Sequence, residues 1–170
     1  MTRSTGRDAG ERSESVQRVA QALVELGHPH APHWLDVAAR TAQQAADALG
    51  VSVGQIAKSV VFRCVADGSA VLVVTSGDRR VDTARVAAIT GELARADADF
   101  VRQRTGFVIG GVAPLAHAGP VQTLVDRELF RFDEIWAAAG HPHAVFRLAP
   151  QQLVVLTGAP VADVTEAVAA

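Results

Sequence analysis

At 170 residues the chain is long enough for one ordinary domain with a substantial core, and no second domain is required. An apolar fraction of 49%, a charged fraction of 20% and a mean hydropathy of +0.18 exclude a disordered chain, while a net charge of −2 announces no general polyanion binder and leaves room for a local arginine patch. A single cysteine, Cys64, excludes an internal disulfide and a cysteine-based zinc cluster; with no run long enough to span a membrane and no apolar signal core at the start, the expected compartment is the cytoplasm.

Residues 1–14 are Ser, Thr, Gly, Arg and Glu with little to bury, and read as a mobile tail ahead of a domain over 15–170. Val16, Val19, Ala20, Leu23 and Leu26 recur at helical spacing up to Gly27. The next stretch, His28-Pro29-His30-Ala31-Pro32-His33, is extended by its prolines. Its histidines lack the i, i+4 helical spacing of a metal face, so no metal ligand is assigned. Thr41 caps a helix through Ala42, Ala45, Ala46 and Leu49 that stops at Gly50, and Ser52-Val53-Gly54-Gln55 has the form of a capping box delivering the chain into a strand. Val60–Val65 and Ala70–Thr75 form a hairpin about Asp67-Gly68, with Cys64 as a small core residue.

Gly77-Asp78-Arg79-Arg80-Val81-Asp82 is a polar turn opening a helix with Val86 and Ile89 inward, closed by Gly91. Arg79, Arg80 and Arg85 cluster there, either as a solvated helix start or as a surface for phosphates. A helix through Ala98, Val101 and Arg102 reaches Gly106, and Phe107-Val108-Ile109 reads as a short strand ahead of Gly110-Gly111-Val112-Ala113-Pro114. That glycine pair can bring backbone amides to a carbonyl or oxyanion, although the pattern is not a phosphate loop. Val121–Asp126 and Ala144–Leu148 are strands, Ala149-Pro150-Gln151-Gln152 starts a closing helix, and Val161–Val164 is a short packed tail. The mixture predicts an α/β domain with a curved, mixed, largely antiparallel sheet surrounded by helices.

Lys58 stands out because it is the only lysine; every other cation is an arginine. It interrupts the otherwise apolar run Ile56-Ala57-Lys58-Ser59-Val60-Val61, where an ammonium is expensive to desolvate unless something uses it. It is either a snorkelling strand residue or a functional cation.

The block around Lys58, the Asp78–Asp82 turn, Thr105–Leu115 and the terminal Leu156-Thr157-Gly158-Ala159 together resemble the YbaK/ProX domain from about residue 30 onward. The resemblance implies an aminoacyl-tRNA deacylase that hydrolyses the ester of misacylated tRNA in trans. The implied substrates carry small amino acids such as Ala, Cys, Ser or Thr on tRNA-Pro, and prolyl-tRNA synthetase is a candidate partner. It maps the family lysine onto Lys58 and the opening of G-x-x-x-P onto Gly110 as the catalytic positions, with Gly111, Val112, Ala113 and Pro114 beside the substrate. Lys58 then fixes the terminal adenosine or the ester, Gly110 and Gly111 hold the carbonyl, and water attacks, oriented partly by a ribose hydroxyl; no cofactor is implied. Where some members carry a Ser-Gly-Gly stretch, this chain has Ala137-Ala138-Ala139-Gly140-His141-Pro142-His143, whose His141 and His143 line either the amino-acid pocket or a polar loop. Arg79, Arg80 and Arg85 are candidate tRNA contacts. A non-catalytic tRNA- or synthetase-binding module of the same fold is the alternative.

Overall fold

The computed structural model describes residues 7–167, with side chains from Glu14 onward. In chain order it contains helix α1 (Arg7–Glu25), strand β1 (His33–Trp34), helix α2 (Ala42–Leu49), a 3-10 turn (Val53–Gln55), strands β2 (Ile56–Cys64) and β3 (Ala70–Ser76), and helix α3 (Thr83–Thr90). Strand β4 (Leu93–Arg95), helix α4 (Ala98–Thr105), strand β5 (Val121–Asp126), a second 3-10 turn (Arg127–Arg131), strands β6 (Ile135–His141) and β7 (Ala144–Leu148), helix α5 (Pro150–Thr157) and strand β8 (Val161–Ala162) complete it.

The strands make one mixed sheet in the order β1-β7-β6-β2-β3-β5-β8, with β4 laid against β2. The pairs β1/β7, β6/β7, β2/β3 and β2/β4 are antiparallel, whereas β2/β6, β3/β5 and β5/β8 are parallel. The mixed α/β domain expected from the sequence is the one observed.

Local chemistry sets most boundaries. Thr41 Oγ1 accepts the Gln44 N–H at 3.1 Å and starts α2, and Asp82 and Asp97 do the same for α3 and α4. The Ser52 N–H donates to Gln55 Oε1 at 3.1 Å, so the capping box forms and turns the chain into β2. At the end of α1 the His28 N–H reaches the Leu23 carbonyl at 2.8 Å and the Gly27 N–H reaches Val24 at 3.0 Å, a Schellman closure.

Packing then decides the faces. β3 is buried throughout: Leu72 and Val74 join Val16, Val19, Leu23, Phe107 and Phe146 on one side, while Val71 and Val73 meet Cys64, Val86, Leu124 and Val164 on the other. Each fully buried aliphatic side chain of this kind contributes about 1.5–3 kcal/mol. A smaller cluster, Leu35, Ala45, Ala46, Ile56 and Val145, sits beneath α2.

The structure departs from the sequence reading in four places. α1 begins at Arg7, so residues 7–14 of the expected tail belong to a helix; residues 1–6 lie outside the described residues. Leu26 and Ile89 point outward, at 51% and 49% exposure. The alanine run Ala137-Ala138-Ala139, to which the sequence reading assigns no element, is the middle of β6, because burial between neighbouring strands and α1 overrides alanine's weak strand preference. Phe107-Val108-Ile109 forms no strand: Thr105 Oγ1 accepts the Phe107 N–H at 3.1 Å, and the Gly111 N–H bonds to the Val108 carbonyl at 3.0 Å, curling the segment into a turn.

Candidate active site

The site arises from a split in the sheet. β2 and β6 run parallel but pair only at Ile56–Trp136 and Ala57–Ala137, and β6 becomes irregular between Ala138 and His141. β4 takes up β2 again at Phe62–Cys64. Between those partners, β2 is bonded to β3 on one side and, among the described residues, pairs with no strand on the other. A cleft of about 270 Å³ opens there, walled by β2, β6, the start of α2 and the Gly110 loop.

Lys58 lies on this stretch opposite Thr75, half-buried, with Nζ 3.5 Å from the Arg79 carbonyl. It lines the cleft and also a second cavity of about 570 Å³ along the Gly77–Thr83 turn, so this residue forms part of the wall of both. A polar network fixes that turn. Arg131 contacts Asp78 at 2.7 and 3.2 Å and donates to Ser76 Oγ at 2.8 Å, and the Ser76 hydroxyl in turn donates to the Gly54 carbonyl at 2.6 Å. The guanidinium holds the Asp78 carboxyl below the usual carboxylate range. Burial pushes the neighbouring Asp126 carboxyl up, partly offset by N–H bonds from Glu128 and Ser76, both at 3.0 Å.

The opposite wall is the glycine loop. Gly110 has φ +91°, a conformation that side-chain-bearing residues rarely adopt, and it lines the cleft. A Cβ on Gly111 would lie 2.8 Å from the His141 Cα and 2.9 Å from its nitrogen, so the loop packs directly on the β6 backbone. The Gly111 N–H is engaged by the Val108 carbonyl, whereas Gly110 and Val112 line the cleft and, among the described residues, no backbone bond holds their N–H groups. Ala113 and Pro114 are buried behind the loop and do not line the cleft. His117 Nε2 meets the Ala113 carbonyl at 2.8 Å and anchors this segment; burial lowers its pKa.

Of the two candidate histidines, His141 lines the cleft, whereas His143 turns its Nδ1 to the Leu35 carbonyl at 3.0 Å. The His143 N–H donates to His141 Nδ1 at 3.0 Å, which leaves Nε2 as the protonated nitrogen of a neutral His141 ring. Arg79 and Arg80 line the second cavity. The Arg79 side chain is only 16% exposed and is paired with Asp78 and Glu128, while Arg80 is exposed. Arg85 pairs with Asp82 at 3.5 Å on α3 and lines neither cavity.

The sequence reading missed Arg40, Thr41, Ser59, Ile109 and Trp136, all of which line the cleft. Ser59 could have been flagged by its place next to Lys58; the others are brought in by long-range packing. Ser59 Oγ and Trp136 Nε1 are buried and have no partner among the described residues, an uncommon state for polar atoms. At the rim, the half-exposed Trp34 ring lies 5.6 Å from the His141 ring. Among the described residues no three His, Cys, Asp or Glu side chains converge as a metal would require, and no helix is long and apolar enough to cross a membrane.

Residues 36–156, which include every wall of this cleft except the exposed rim at Trp34, match the model of the aminoacyl-tRNA editing domain. The chain belongs to that family. The editing domain is similar in structure to a candidate trans-editing enzyme for prolyl-tRNA synthetase, with a TM-score of 0.83 and 41% identity over 90% of this chain and 98% of that one. It is 34% identical to the uncharacterized protein YwhH of Bacillus subtilis over 69% of this chain and 75% of that protein. It is 25% identical to EbsC of Enterococcus faecalis, a candidate Cys-tRNA(Pro)/Cys-tRNA(Cys) deacylase, over 74% of this chain and 77% of that one.

Proposed function

We propose that this editing domain is a trans-acting cytoplasmic hydrolase that cleaves the ester joining a small, wrongly attached amino acid, such as Ala, Cys, Ser or Thr, to the 3′ end of tRNA-Pro. The observation that carries this reading is the position of Lys58, the only lysine, on the unpaired stretch of β2 between a small cleft and a cavity bordered by arginines. The aminoacyl group occupies the cleft, where Ala42, Ala45, Ala137 and Ala138 keep the walls short. The terminal nucleotide lies along the Arg80 side, and the Lys58 ammonium faces the ester between them. The N–H groups of Gly110 and Val112 donate to the carbonyl oxygen as it gains charge, and a water positioned with help from a ribose hydroxyl attacks the carbonyl carbon. The carbon–oxygen bond to the ribose breaks, and the amino acid leaves as a free acid.

Short side-chain walls suit a second sieve, because one methylene is discriminated weakly by any single binding site. Prolyl-tRNA synthetase is the partner that would generate such substrates. The test is release of labelled amino acid from alanyl-, cysteinyl-, seryl- and threonyl-tRNA-Pro. Wild type hydrolyses at least one of them, and Lys58→Ala lowers the rate at saturating tRNA by about 100-fold or more. Wild-type turnover in the Lys58→Ala protein would sink this mechanism, and binding of mischarged tRNA with no release by the wild type would make the chain a docking module.

A further inference from the structure

Among the described residues lining the cleft, Ser59 brings three polar groups that no neighbouring strand takes up. Its hydroxyl is buried without a partner. Its backbone also faces the opening: the Cys64 N–H bonds to Ser69 across the hairpin and the Val65 N–H bonds to Glu92 beside β4. Because antiparallel strands alternate the direction of their N–H and C=O pairs, even-numbered residues of β2 bond toward β3, and odd-numbered ones face the other edge. Ala57 meets β6 and Arg63 meets β4 on that edge, and Ser59 falls between them, where β2 pairs with neither. The cleft fills this gap.

An unpaired strand residue presents one donor and one acceptor spaced to match the C=O and N–H of another residue, which is how extended peptides add to sheet edges. A single α-aminoacyl group carries the same complement. Resting on the editing function proposed above, we propose that Ser59 is the α-amino-acid recognition residue of this site: its carbonyl and hydroxyl accept from the substrate's α-ammonium, and its N–H donates to the ester carbonyl beside the Gly110 loop. The site therefore selects an ester with a free α-amino group and rejects peptidyl or N-blocked esters. Trp136, whose Nε1 is also unpartnered, lines the same cleft from β6.

The experiment compares the aminoacyl-tRNA of the four-member panel that wild type hydrolyses fastest with the same tRNA N-acetylated on the amino acid. N-acetylation is expected to lower kcat/KM by about tenfold or more, the scale of losing hydrogen bonds to a charged group. Ser59→Ala is expected to lower kcat/KM for the free-amino ester several-fold while leaving the N-acetylated ester unchanged, so the ratio between the two esters shrinks. A purely structural serine would move both esters together and leave the ratio intact, which overturns the inference. Equal wild-type rates on both esters overturn it too, while leaving the editing function standing. Hydrolysis of no ester in the panel removes the editing function and this inference with it.

Discussion

Arg131 grips Asp78 at two points, with Nη2 2.7 Å from Oδ1 and Nη1 3.2 Å from Oδ2, and the next residue after that aspartate, Arg79, supplies the carbonyl that lies 3.5 Å from Lys58 Nζ. The ion pair therefore holds the turn on which Lys58 leans. Both side chains are 33% exposed, so solvent screens part of the attraction. Arg131→Met should lower stability by about 1–2 kcal/mol, and a double-mutant cycle with Asp78→Asn should return a coupling of about 1 kcal/mol in urea unfolding. Deacylation should fall further than the loss of folded protein explains, with the fall in kcat, because Lys58 loses its fixed support. A coupling near zero would show that the two residues act independently.

The two loop glycines are needed for different reasons, and substitution separates them. A Cβ at Gly110 meets nothing nearer than Pro142 Cγ at 3.7 Å, so Gly110→Ala suffers only from its φ of +91°, at about 1–2 kcal/mol. A Cβ at Gly111 meets the His141 backbone at 2.8–3.0 Å, where nothing flexible can yield. Gly111→Ala should push the loop off β6, lower stability by about 1–3 kcal/mol and widen the cleft. Thermal unfolding and deacylation assays on both variants check this; a Gly111→Ala protein as stable and active as wild type would contradict the close packing.

Local signals were legible because they are local. Thr41 and Gly50 bound α2, Asp82 caps α3, and Asp67-Gly68 turns the β2/β3 hairpin, each through contacts only a few residues long. Lys58 and Gly110 could be singled out for the same reason, one by being the only lysine and the other by its glycine loop. What the sequence withheld depends on distant partners. β1 and β4 are two- and three-residue strands that exist only by leaning on β7 and β2. The cleft itself comes from the parting of β2 and β6, and no residue pattern within either strand encodes a missing neighbour. The Gly111 amide, expected to face substrate, closes a turn with Val108 that depends on how the chain leaves α4.

His117 predicts a pH dependence. Burial lowers its pKa below the ordinary 6.5, so the folded state prefers the neutral ring whose Nε2 meets the Ala113 carbonyl. A depressed folded value means that this contribution is fully present above pH 6.5 and is lost as pH falls through the lower folded value. Of the carboxylates, Asp78 is held below the ordinary value of 3.8 and the buried Asp126 is pushed above it. Asp78 stabilises above 3.8 and loses that as pH falls, whereas the contribution of Asp126 is present below 3.8 and is lost as pH rises. Replacing His117 by Gln keeps a donor but removes the titration. The wild-type Tm should decline on mild acidification below pH 6.5, and His117→Gln should decline less; parallel curves for the two proteins would contradict the assignment.

Trp34 is 48% exposed, and its ring lies 5.6 Å from that of His141, which lines the cleft. An exposed indole near the site proposed for an aminoacylated nucleotide offers a face on which a base can stack, and such stacking contributes about 1–3 kcal/mol per base. The ring touches His141 and is not among the residues that line the cleft, so it is expected to bear on binding and to leave the bond-breaking step alone. Trp34→Ala should raise KM for the misacylated tRNA by roughly 5- to 100-fold with kcat little changed, the pattern of a contact made equally in the bound and transition states. Trp34→Phe should recover most of the loss, since the flat ring is retained. Steady-state kinetics on the two variants decide the matter: a fall in kcat at unchanged KM would assign Trp34 to holding His141 in place.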